Sequence, residues 1–470
     1  MLQSMGWRAM GVGTEPDDGP VRQDADRSGA SAAALFPGPR RSFEDELAAR
    51  EEAELEARYR RAADAGDASA ASLLGALLLR RGELAAAEPF LRRAAAAGIR
   101  AAANNLGMLL NRRGQPEAAA EWWRRAAVAG SAPAAHALGR HLRERGEEPA
   151  AEYWLRQAAE QGHLKGVVAL AELLEHRQDP RAERWFRSAA EVGHTGAAYR
   201  LARLREAAGD ARGAETWYRQ SAARGHPRAA LRLGALLELR GETGEAMRWY
   251  RRAAGSDEPD AARALAYLLL DAGDEEGAEH WWEVAAEAGD GTAANALGAL
   301  YAQRGDAAGA EPWYRRAVAA GDVNGAFNLG LLHAREGRAA HAEQWYRRAA
   351  YAGHRDACNA LAVVLLERGD EVGAEPWFSK AAEAGSVDAA FNLGILYEGR
   401  GQVRAAWPWY ESAAEGGHAA AALRLASLAA VGGDAALART WALRAAGLGD
   451  VDVAEQAADL MAQLDGRLTA

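Results

Sequence analysis

Apolar and polar residues follow one another along most of the chain with the spacing of short amphipathic helices separated by glycine. Between residues 67 and 449 a glycine closes nearly every segment of 32 residues, and a second glycine marks most midpoints. Each half segment has the length of one short helix. The pattern therefore predicts twelve repeats of two helices, which we call helix A and helix B.

The core-forming positions recur at fixed places in each repeat. One column of helix A is leucine in all twelve repeats, and the next column holds only glycine or alanine. A glycine inside a helix costs about 1 kcal/mol relative to alanine, so its recurrence predicts close approach of a neighbouring helix. One column of helix B is aromatic throughout, and we expect its rings to form the spine of the core. That column is Phe90, Trp122, Trp154, Trp185, Trp217, Trp249, Trp281, Trp313, Trp345, Trp377, Trp409 and Trp441.

Together these columns predict an all-α fold, a right-handed α-solenoid of about twelve 32-residue helix-turn-helix repeats. Residues 67–449 form the repeats, with a polar capping helix at 43–66 and a last capping helix at 450–470. Residues 1–42 are rich in Gly, Pro, Asp and Ser without periodicity, and we expect them to be disordered.

Three local features modify this pattern. The fourth repeat has an unusual turn at 175–180 and is one residue short, and the sixth ends without its usual glycine. Both irregularities should bend the solenoid locally. Prolines also precede the aromatic column in four repeats, where helix B must either begin late or be kinked. They are Pro89, Pro312, Pro376 and Pro408.

Glutamate and arginine recur four residues apart in helix B, a spacing that places both on one exposed helix face. Each such pair should add about 0.2–0.5 kcal/mol to helix stability. The paired arginines are therefore expected to be solvated helix faces and not a nuclear signal. The pairs are Glu88/Arg92, Glu152/Arg156, Glu183/Arg187, Glu215/Arg219, Glu311/Arg315 and Glu343/Arg347.

The repeats resemble the Sel-like repeat (SLR) family, close kin of the tetratricopeptide repeat (TPR). The resemblance is plainest in "AANALGALYAQRGDAAGAEPWYRRAVAAG" (293–321) and "GAFNLGLLHAREGRAAHAEQWYRRAAYAG" (325–353). The loop between the two helices is shorter here than in the usual SLR unit. The resemblance implies an adaptor or scaffold that holds other proteins together without catalysis.

Charge and composition narrow the class of protein further. A net charge of -10 and a pI near 5.7 argue against a general nucleic-acid or anionic-membrane binder. The chain contains no apolar run long enough for a membrane span and no secretory pattern at its start. One cysteine, Cys358, excludes an intramolecular disulfide framework and fits a reducing cytoplasm. We also expect the protein to be a monomer.

Motifs for catalysis, cofactors and metals do not stand out from the repeat. The chain contains no phosphate-binding loop, HExxH, CxxC or GxSxG motif, so we expect no catalytic residue, cofactor or metal site. Five histidines follow the glycine that ends a repeat, which is a helix-start position and not a metal-ligand arrangement. His141 replaces leucine in a core column, where strain or partial exposure is expected. Cys358 lies in a small-residue column and is expected to be a buried thiol.

Candidate partner-binding residues occupy the column just before the leucine of helix A. This column accepts Arg, Asn and Ala, so it cannot be dry core, since burying an unpaired charge is too costly. We expect it to face the concave groove. Asn105, Asn328 and Asn392 match by position the groove asparagines that hold peptide groups in TPR proteins. Ordinary solvation of the groove is the alternative. The column is Leu73, Asn105, Ala137, Ala169, Arg200, Arg232, Ala264, Ala296, Asn328, Ala360, Asn392 and Arg424.

A basic cluster is predicted on the helices A of repeats five to seven. On an acidic protein it could receive an acidic or C-terminal segment, because guanidinium groups suit carboxylates. The alternative is that these arginines pair with glutamates nearby in the sequence, which are Glu206, Glu238 and Glu242. The cluster is Arg200, Arg203, Arg232 and Arg263.

The sequence thus predicts a non-catalytic scaffold or adaptor that binds a peptide or protein partner in its concave groove. A self-associating structural solenoid is the first alternative, because an uncapped solenoid stacks end to end. Leu460, Met461 and Leu464 leave that question open at the C-terminal end. An enzyme with an unrecognised site is the second alternative, and nothing in the sequence favours it.

Overall fold

The computed structural model describes residues 43–256, 258–449 and 451–468, and every regular element within them is an α-helix. The chain divides into two compact bodies, of which the first ends at Ala129 and the second begins at Gly130. The first body contains α1 (Phe43–Asp64), α2 (Ala68–Arg80), α3 (Leu84–Ala96), α4 (Arg100–Arg112) and α5 (Pro116–Val128). The second body contains α6 (Ala132–Glu144), α7 (Glu148–Glu160), α8 (Leu164–His176), α9 (Arg181–Glu191), α10 (Thr195–Ala207), α11 (Ala211–Ala223), α12 (Pro227–Leu239), α13 (Thr243–Ala254), α14 (Pro259–Asp271), α15 (Glu275–Glu287), α16 (Gly291–Gln303), α17 (Ala307–Ala319), α18 (Val323–Arg335), α19 (Ala339–Tyr351), α20 (Arg355–Glu367), α21 (Glu371–Glu383), α22 (Val387–Gly399), α23 (Val403–Glu415), α24 (Ala419–Val431), α25 (Ala435–Leu448) and α26 (Val451–Leu468).

The helices from α2 to α25 form the twelve predicted pairs, with helix A even-numbered and helix B odd-numbered. Each helix A packs on its own helix B, and within each body helix B packs on the helix A that follows. The all-α solenoid of twelve repeats is therefore confirmed. The capping roles of 43–66 and 450–470 stay predictions, and the prediction for 1–42 lies outside the described residues.

Glycine and aspartate build the turns between helices. Gly321 ends repeat 8 at a φ of +90°, a conformation that favours glycine, and the next N–H, of Asp322, bonds back to the carbonyl of Ala317 at 2.9 Å. Within repeat 8 the side chain of Asp306 accepts a 2.8 Å hydrogen bond from the N–H of Gly309. The "RGD" sequence at this turn is thus a helix C-terminus followed by an N-cap.

The short fourth repeat replaces the turn glycine with Gln178, which has a φ of 55°. Among the described residues it is the non-glycine with positive φ. Asp179 accepts hydrogen bonds from the N–H and the guanidinium of Arg181, which lower the pKa of the Asp179 carboxyl to about 2. The following helix, α9, begins at Arg181 and is shorter than its neighbours.

The prediction that the tryptophan column forms the spine of the core is wrong. Eleven of its twelve members are only half-buried, and Trp441 is the buried exception. The next residue on helix B is the one that enters the core, as with Tyr218 and Phe186, each 0% exposed. The indoles instead lie beneath cations, for example Arg125 at 4.6 Å from the Trp122 ring.

The glycine column of helix A exists because of these inner rings. A Cβ added at Gly234 would lie 2.6 Å from the ring of Tyr250, and at Gly298 it would lie 2.5 Å from the ring of Tyr314. Such distances are far inside van der Waals contact, so the predicted close approach of helix B is confirmed.

The four prolines do not delay helix B. Pro89 lies inside α3, which begins at Leu84, and Pro312 lies inside α17, which begins at Ala307. Pro376 and Pro408 occupy the same place in α21 and α23. The late-start alternative is therefore wrong, and each proline removes one helical N–H within an otherwise regular helix.

All six predicted Glu/Arg pairs of helix B form. Glutamates of these pairs also contact an arginine at or just past the end of the next helix A, which the sequence analysis did not predict. Glu215 contacts Arg219 at 2.9 Å and Arg240 at 2.6 Å, and Glu183 contacts Arg187 at 2.7 Å and Arg205 at 2.6 Å. The side chains therefore connect neighbouring repeats as well as turns of one helix.

Candidate binding surface on helix A

The predicted partner-binding column lies at the surface of helix A. Eleven of its twelve side chains are half-buried or exposed, and Ala169 is buried. The position two residues after the leucine is also exposed or half-buried in every repeat. We call these two columns of the second body the helix A face. The leucines between them are 0% exposed, so helix A presents one packed side and one accessible side.

The predicted asparagines pair with other asparagines. The amide of Asn328 donates to the Oδ1 of Asn295 on the preceding helix A at 2.8 Å, and Asn392 donates to Asn359 at 3.2 Å. In the first body, Asn105 accepts a 3.4 Å hydrogen bond from Asn104. Each of these three asparagine side chains uses only part of its amide group in this bond, so its other donor and acceptor sites can bind a further group.

The predicted basic cluster lies on three successive helices A of the second body, with Arg200 and Arg203 on α10, Arg232 on α12 and Arg263 on α14. Arg200 contacts Glu175 at 2.8 Å, and Arg263 contacts Asp290 at 2.8 Å and Asp260 at 2.7 Å. Within the described chain, Arg232 forms no ion pair with a carboxylate.

The glutamates suggested from the sequence are not the partners of Arg200 and Arg263. Glu206 accepts a 2.6 Å hydrogen bond from the hydroxyl of Tyr218, and Glu238 accepts one of 2.8 Å from Tyr250. Glu242 lies 3.1 Å from Arg240. The arginines instead reach carboxylates on neighbouring repeats, which only the packing of one repeat on the next brings close.

Three histidines at the starts of helices, His226, His354 and His418, are N-caps that also stack on aromatic rings. The Nδ1 of His354 accepts from the N–H of Ala357 at 3.1 Å, while its ring stacks on Phe327 at 4.5 Å. His418 stacks on Phe391 at 4.1 Å in the same way. Burial lowers the pKa of both histidines, because an accepting, enclosed imidazole must be neutral. The predicted helix-start position is confirmed for these residues.

Other polar groups in the core carry no evident chemistry. His141 is 7% exposed, so the expected partial exposure is not found. Cys358 is buried as expected, and burial raises the pKa of its thiol. In the part of the chain that the structure describes, no three His, Cys, Asp or Glu residues come close enough to hold a metal ion. None of the described helices combines the length and apolar character needed to cross a membrane.

Comparison with known proteins places the chain among helical repeat proteins. Models of the tetratricopeptide repeat match residues 68–93, 99–128, 199–261, 291–320 and 324–348. No curated protein matches the chain.

Among solved structures, the protective antigen c5321 of uropathogenic Escherichia coli, which displays an SLR fold, is 24% identical, with a TM-score of 0.59. The match covers 87% of this chain and 94% of that one. A Sel1 repeat protein from Oxalobacter formigenes is 23% identical over 46% of this chain and 96% of its own, with a TM-score of 0.39. The repeated helix pairs, the tetratricopeptide matches and the shared SLR fold show that the chain has an SLR/TPR-like repeat fold.

Proposed function

We propose that the protein is a non-catalytic interaction scaffold that binds a peptide or protein segment on the helix A face. The repeat fold is typical of protein-interaction scaffolds. The observation that carries the proposal is the contrast between the two sides of helix A. The packed side repeats leucine and glycine or alanine, whereas the accessible side changes from repeat to repeat among Asn, Arg, Ala and aliphatic residues.

The charged part of this face supports binding of an acidic segment. Arg232 has no carboxylate partner within the described chain. A guanidinium group binds a carboxylate through paired N–H donors, so this side chain suits Asp or Glu of a partner. Asn328 and Asn392 would add hydrogen bonds to a peptide backbone. Monomeric and cytoplasmic states, without nucleic-acid or membrane binding, are part of the same proposal.

The self-associating alternative is less well supported. Leu464 is 5% exposed, and Leu460 packs beside it against α24 and α25. Met461 is half-buried against the core of the same body. Apolar side chains of the last helix are thus already used within the chain, which reduces the apolar surface available for end-to-end stacking.

The test is affinity capture from the native host lysate with the full chain as bait. We expect a stoichiometric partner that the Arg200→Glu/Arg232→Glu variant loses while its helicity stays unchanged and its melting temperature falls only slightly, owing to the lost pair with Glu175. The matched control reverses Arg212 and Arg251, which are exposed on the helices B of the same two repeats. Equal capture by all three baits would contradict binding on the helix A face.

A further inference from the structure

Five tyrosines occupy the inner position of helix B in the second body. They are Tyr218, Tyr250, Tyr314, Tyr346 and Tyr410, each at most 4% exposed. In four of the five repeats the ring packs against the glycine of its own helix A; opposite Tyr218 an alanine, Ala202, takes that place. The rings are therefore equivalent, and the phenol oxygens end at equivalent places in the fold.

Three of these hydroxyls are satisfied by the chain itself. Tyr218 donates to Glu206 at 2.6 Å, and the pairs Tyr250/Glu238 and Tyr410/Glu398 repeat this bond at 2.8 and 2.6 Å. The glutamate always lies twelve residues before the tyrosine, near the end of helix A. A buried phenol needs such an acceptor, because an unpaired buried donor costs about 1–3 kcal/mol.

Repeats 8 and 9 keep the tyrosine and omit the glutamate. Twelve residues before Tyr314 and Tyr346 stand Ala302 and Ala334, which are half-buried and exposed. Neither tyrosine hydroxyl donates a hydrogen bond to another group of the described chain. Neither hydroxyl oxygen is among the described polar atoms that are fully buried without a hydrogen-bond partner. Both donors therefore reach solvent at the place where a carboxylate lies in repeats 5, 6 and 11.

An arginine, Arg335, lies on the helix between the two that carry Tyr314 and Tyr346. Arg335, exposed at the end of α18, forms no ion pair in the part of the chain described. Burial raises the pKa of Tyr314 to about 12 and also raises that of Tyr346, while the charge of Arg335 opposes both shifts. Arg335 lies on α18, which packs on both α17 and α19, the helices that carry the two tyrosines.

The next repeat adds an amide to the same place. Arg424 contacts Glu398 at 2.9 Å beside Tyr410, and it lies fourteen residues after that tyrosine. The residue fourteen after Tyr314 is Asn328, one of the predicted partner-binding residues. Asn328, on the helix A of repeat 9, therefore stands at the position beside Tyr314 that Arg424 has beside Tyr410.

We propose that repeats 8 and 9 bind an acidic segment of a partner protein, whose glutamate side chains take the places that Glu206, Glu238 and Glu398 occupy elsewhere in the fold. The donors are Tyr314 and Tyr346, and Arg335 supplies the opposite charge. Packed helices lie about 8–10 Å apart, and the two phenols belong to α17 and α19, which α18 separates. The two glutamates are therefore at least about three residues of extended peptide apart. This inference rests on the proposed function and names the partner chemistry for a site beside the helix A face, which it meets at Asn328.

The probe is a fluorescein-labelled alanine peptide with glutamate at every third position and an amidated C-terminus, measured by fluorescence polarisation with the full chain. We expect the Kd of the glutamate peptide to be at least tenfold below that of its glutamine counterpart at low salt. The Ala302→Glu/Ala334→Glu variant supplies the missing acceptors from within the chain. We expect it to raise the Kd at least tenfold, with unchanged circular dichroism.

The matched control adds the same charge on the helices B of these repeats, as Ala308→Glu/Gln344→Glu, both at exposed positions. It should bind like the unchanged chain. Equal binding of both peptides, no binding of the glutamate peptide, or full binding by Ala302→Glu/Ala334→Glu would each overturn the proposal. Preference for a peptide whose single carboxylate is its C-terminus would overturn it as well.

The lysate capture separates this proposal from the proposed function. A bait carrying Ala302→Glu/Ala334→Glu that still captures a partner lost by Arg200→Glu/Arg232→Glu would overturn the site in repeats 8 and 9 and leave the scaffold intact. Loss of that partner from both variants would support both proposals.

Discussion

Repeats 5 and 6 are built from the same kind of helix pair as repeats 8 and 9, but the hydroxyl of the inner tyrosine has a different environment in the two regions. In repeats 5 and 6 the hydroxyls of Tyr218 and Tyr250 are bound by glutamates of the same repeat. In repeats 8 and 9 alanines stand at the positions of those glutamates, and the hydroxyls of Tyr314 and Tyr346 have no hydrogen-bond partner within the described chain. The tyrosine ring packs in the core in all four repeats. Its hydroxyl donates a hydrogen bond within the chain in repeats 5 and 6 and reaches solvent in repeats 8 and 9. One buried side chain can thus serve stability in one region and recognition in another.

The largest expected effect comes from crowding the contact between helix A and the inner tyrosine ring in repeat 8. Gly298→Ala would place a Cβ 2.5 Å from the Tyr314 ring, so we expect the free energy of unfolding to fall by about 2 kcal/mol. Gly399→Ala, with open space around it, should instead raise stability by about 0.5–1 kcal/mol through helix propensity. Urea unfolding of the two variants measures both signs, and similar destabilisation by both would contradict the packing role of Gly298.

A second pair of variants tests whether the tyrosine hydroxyl contributes to stability in one region and not in the other. Tyr218→Phe strands the carboxylate of Glu206, so we expect a loss of about 1–2 kcal/mol in the free energy of unfolding. Tyr314→Phe removes a hydroxyl without an internal partner and should cost less than about 0.5 kcal/mol. Thermal unfolding of each variant beside the unchanged chain gives the comparison. Equal losses would show that the Tyr314 hydroxyl has an internal role after all.

Acid should weaken both regions alike, because each contains histidine N-caps stacked on rings. The pKa of His226 and of His354 lies below 6.5 in the folded state, owing first to burial. The unfolded chain therefore binds more protons below pH 6.5, and the free energy of unfolding falls as the pH drops through that value. His136, with a pKa lowered to about 4, extends the window down to that pH.

Urea unfolding between pH 7.5 and 4.5 measures this dependence. His226→Asn and His354→Asn keep a capping side chain without titration and should each flatten the profile. An unchanged profile in the double variant would exclude these caps as its source.

The smallest effect concerns the exposed cations. Arg200→Ala breaks a partly exposed pair with Glu175 and should cost about 0.5 kcal/mol, whereas Arg232→Ala breaks no ion pair and should cost less. Chemical denaturation at low and at 0.5 M salt separates the two, since salt should reduce the loss for Arg200→Ala only. A larger loss for Arg232→Ala would mean that Arg232 has a structural role.

The candidate site shows where prediction from sequence stops. The column of Asn328 and Arg232 was predicted to lie outside the dry core because it accepts charged residues, and its side chains do lie at the surface. Glu206 was instead assigned to an arginine, because the bond from Tyr218 depends on how helix B is rotated against helix A. Successive residues of a helix differ by about 100° in direction. The residue that enters the core is therefore Tyr218 and not the predicted Trp217, one position earlier. Because Tyr218 is the inner residue, its hydroxyl reaches Glu206 and donates a hydrogen bond to it.

The sequence by itself determined the number of repeats, the two helices of each, the glycine turns and the Glu/Arg pairs. All of these features depend on residues within one or two helical turns of each other. At that range the number of residues between two side chains fixes the distance between them. The tertiary structure alone decided which neighbouring aromatic residue is buried, which carboxylate Arg200 contacts and why Asn328 bonds to Asn295. Those contacts join helices 12 to 33 residues apart, and their geometry depends on helix rotation and repeat packing, which no local spacing determines.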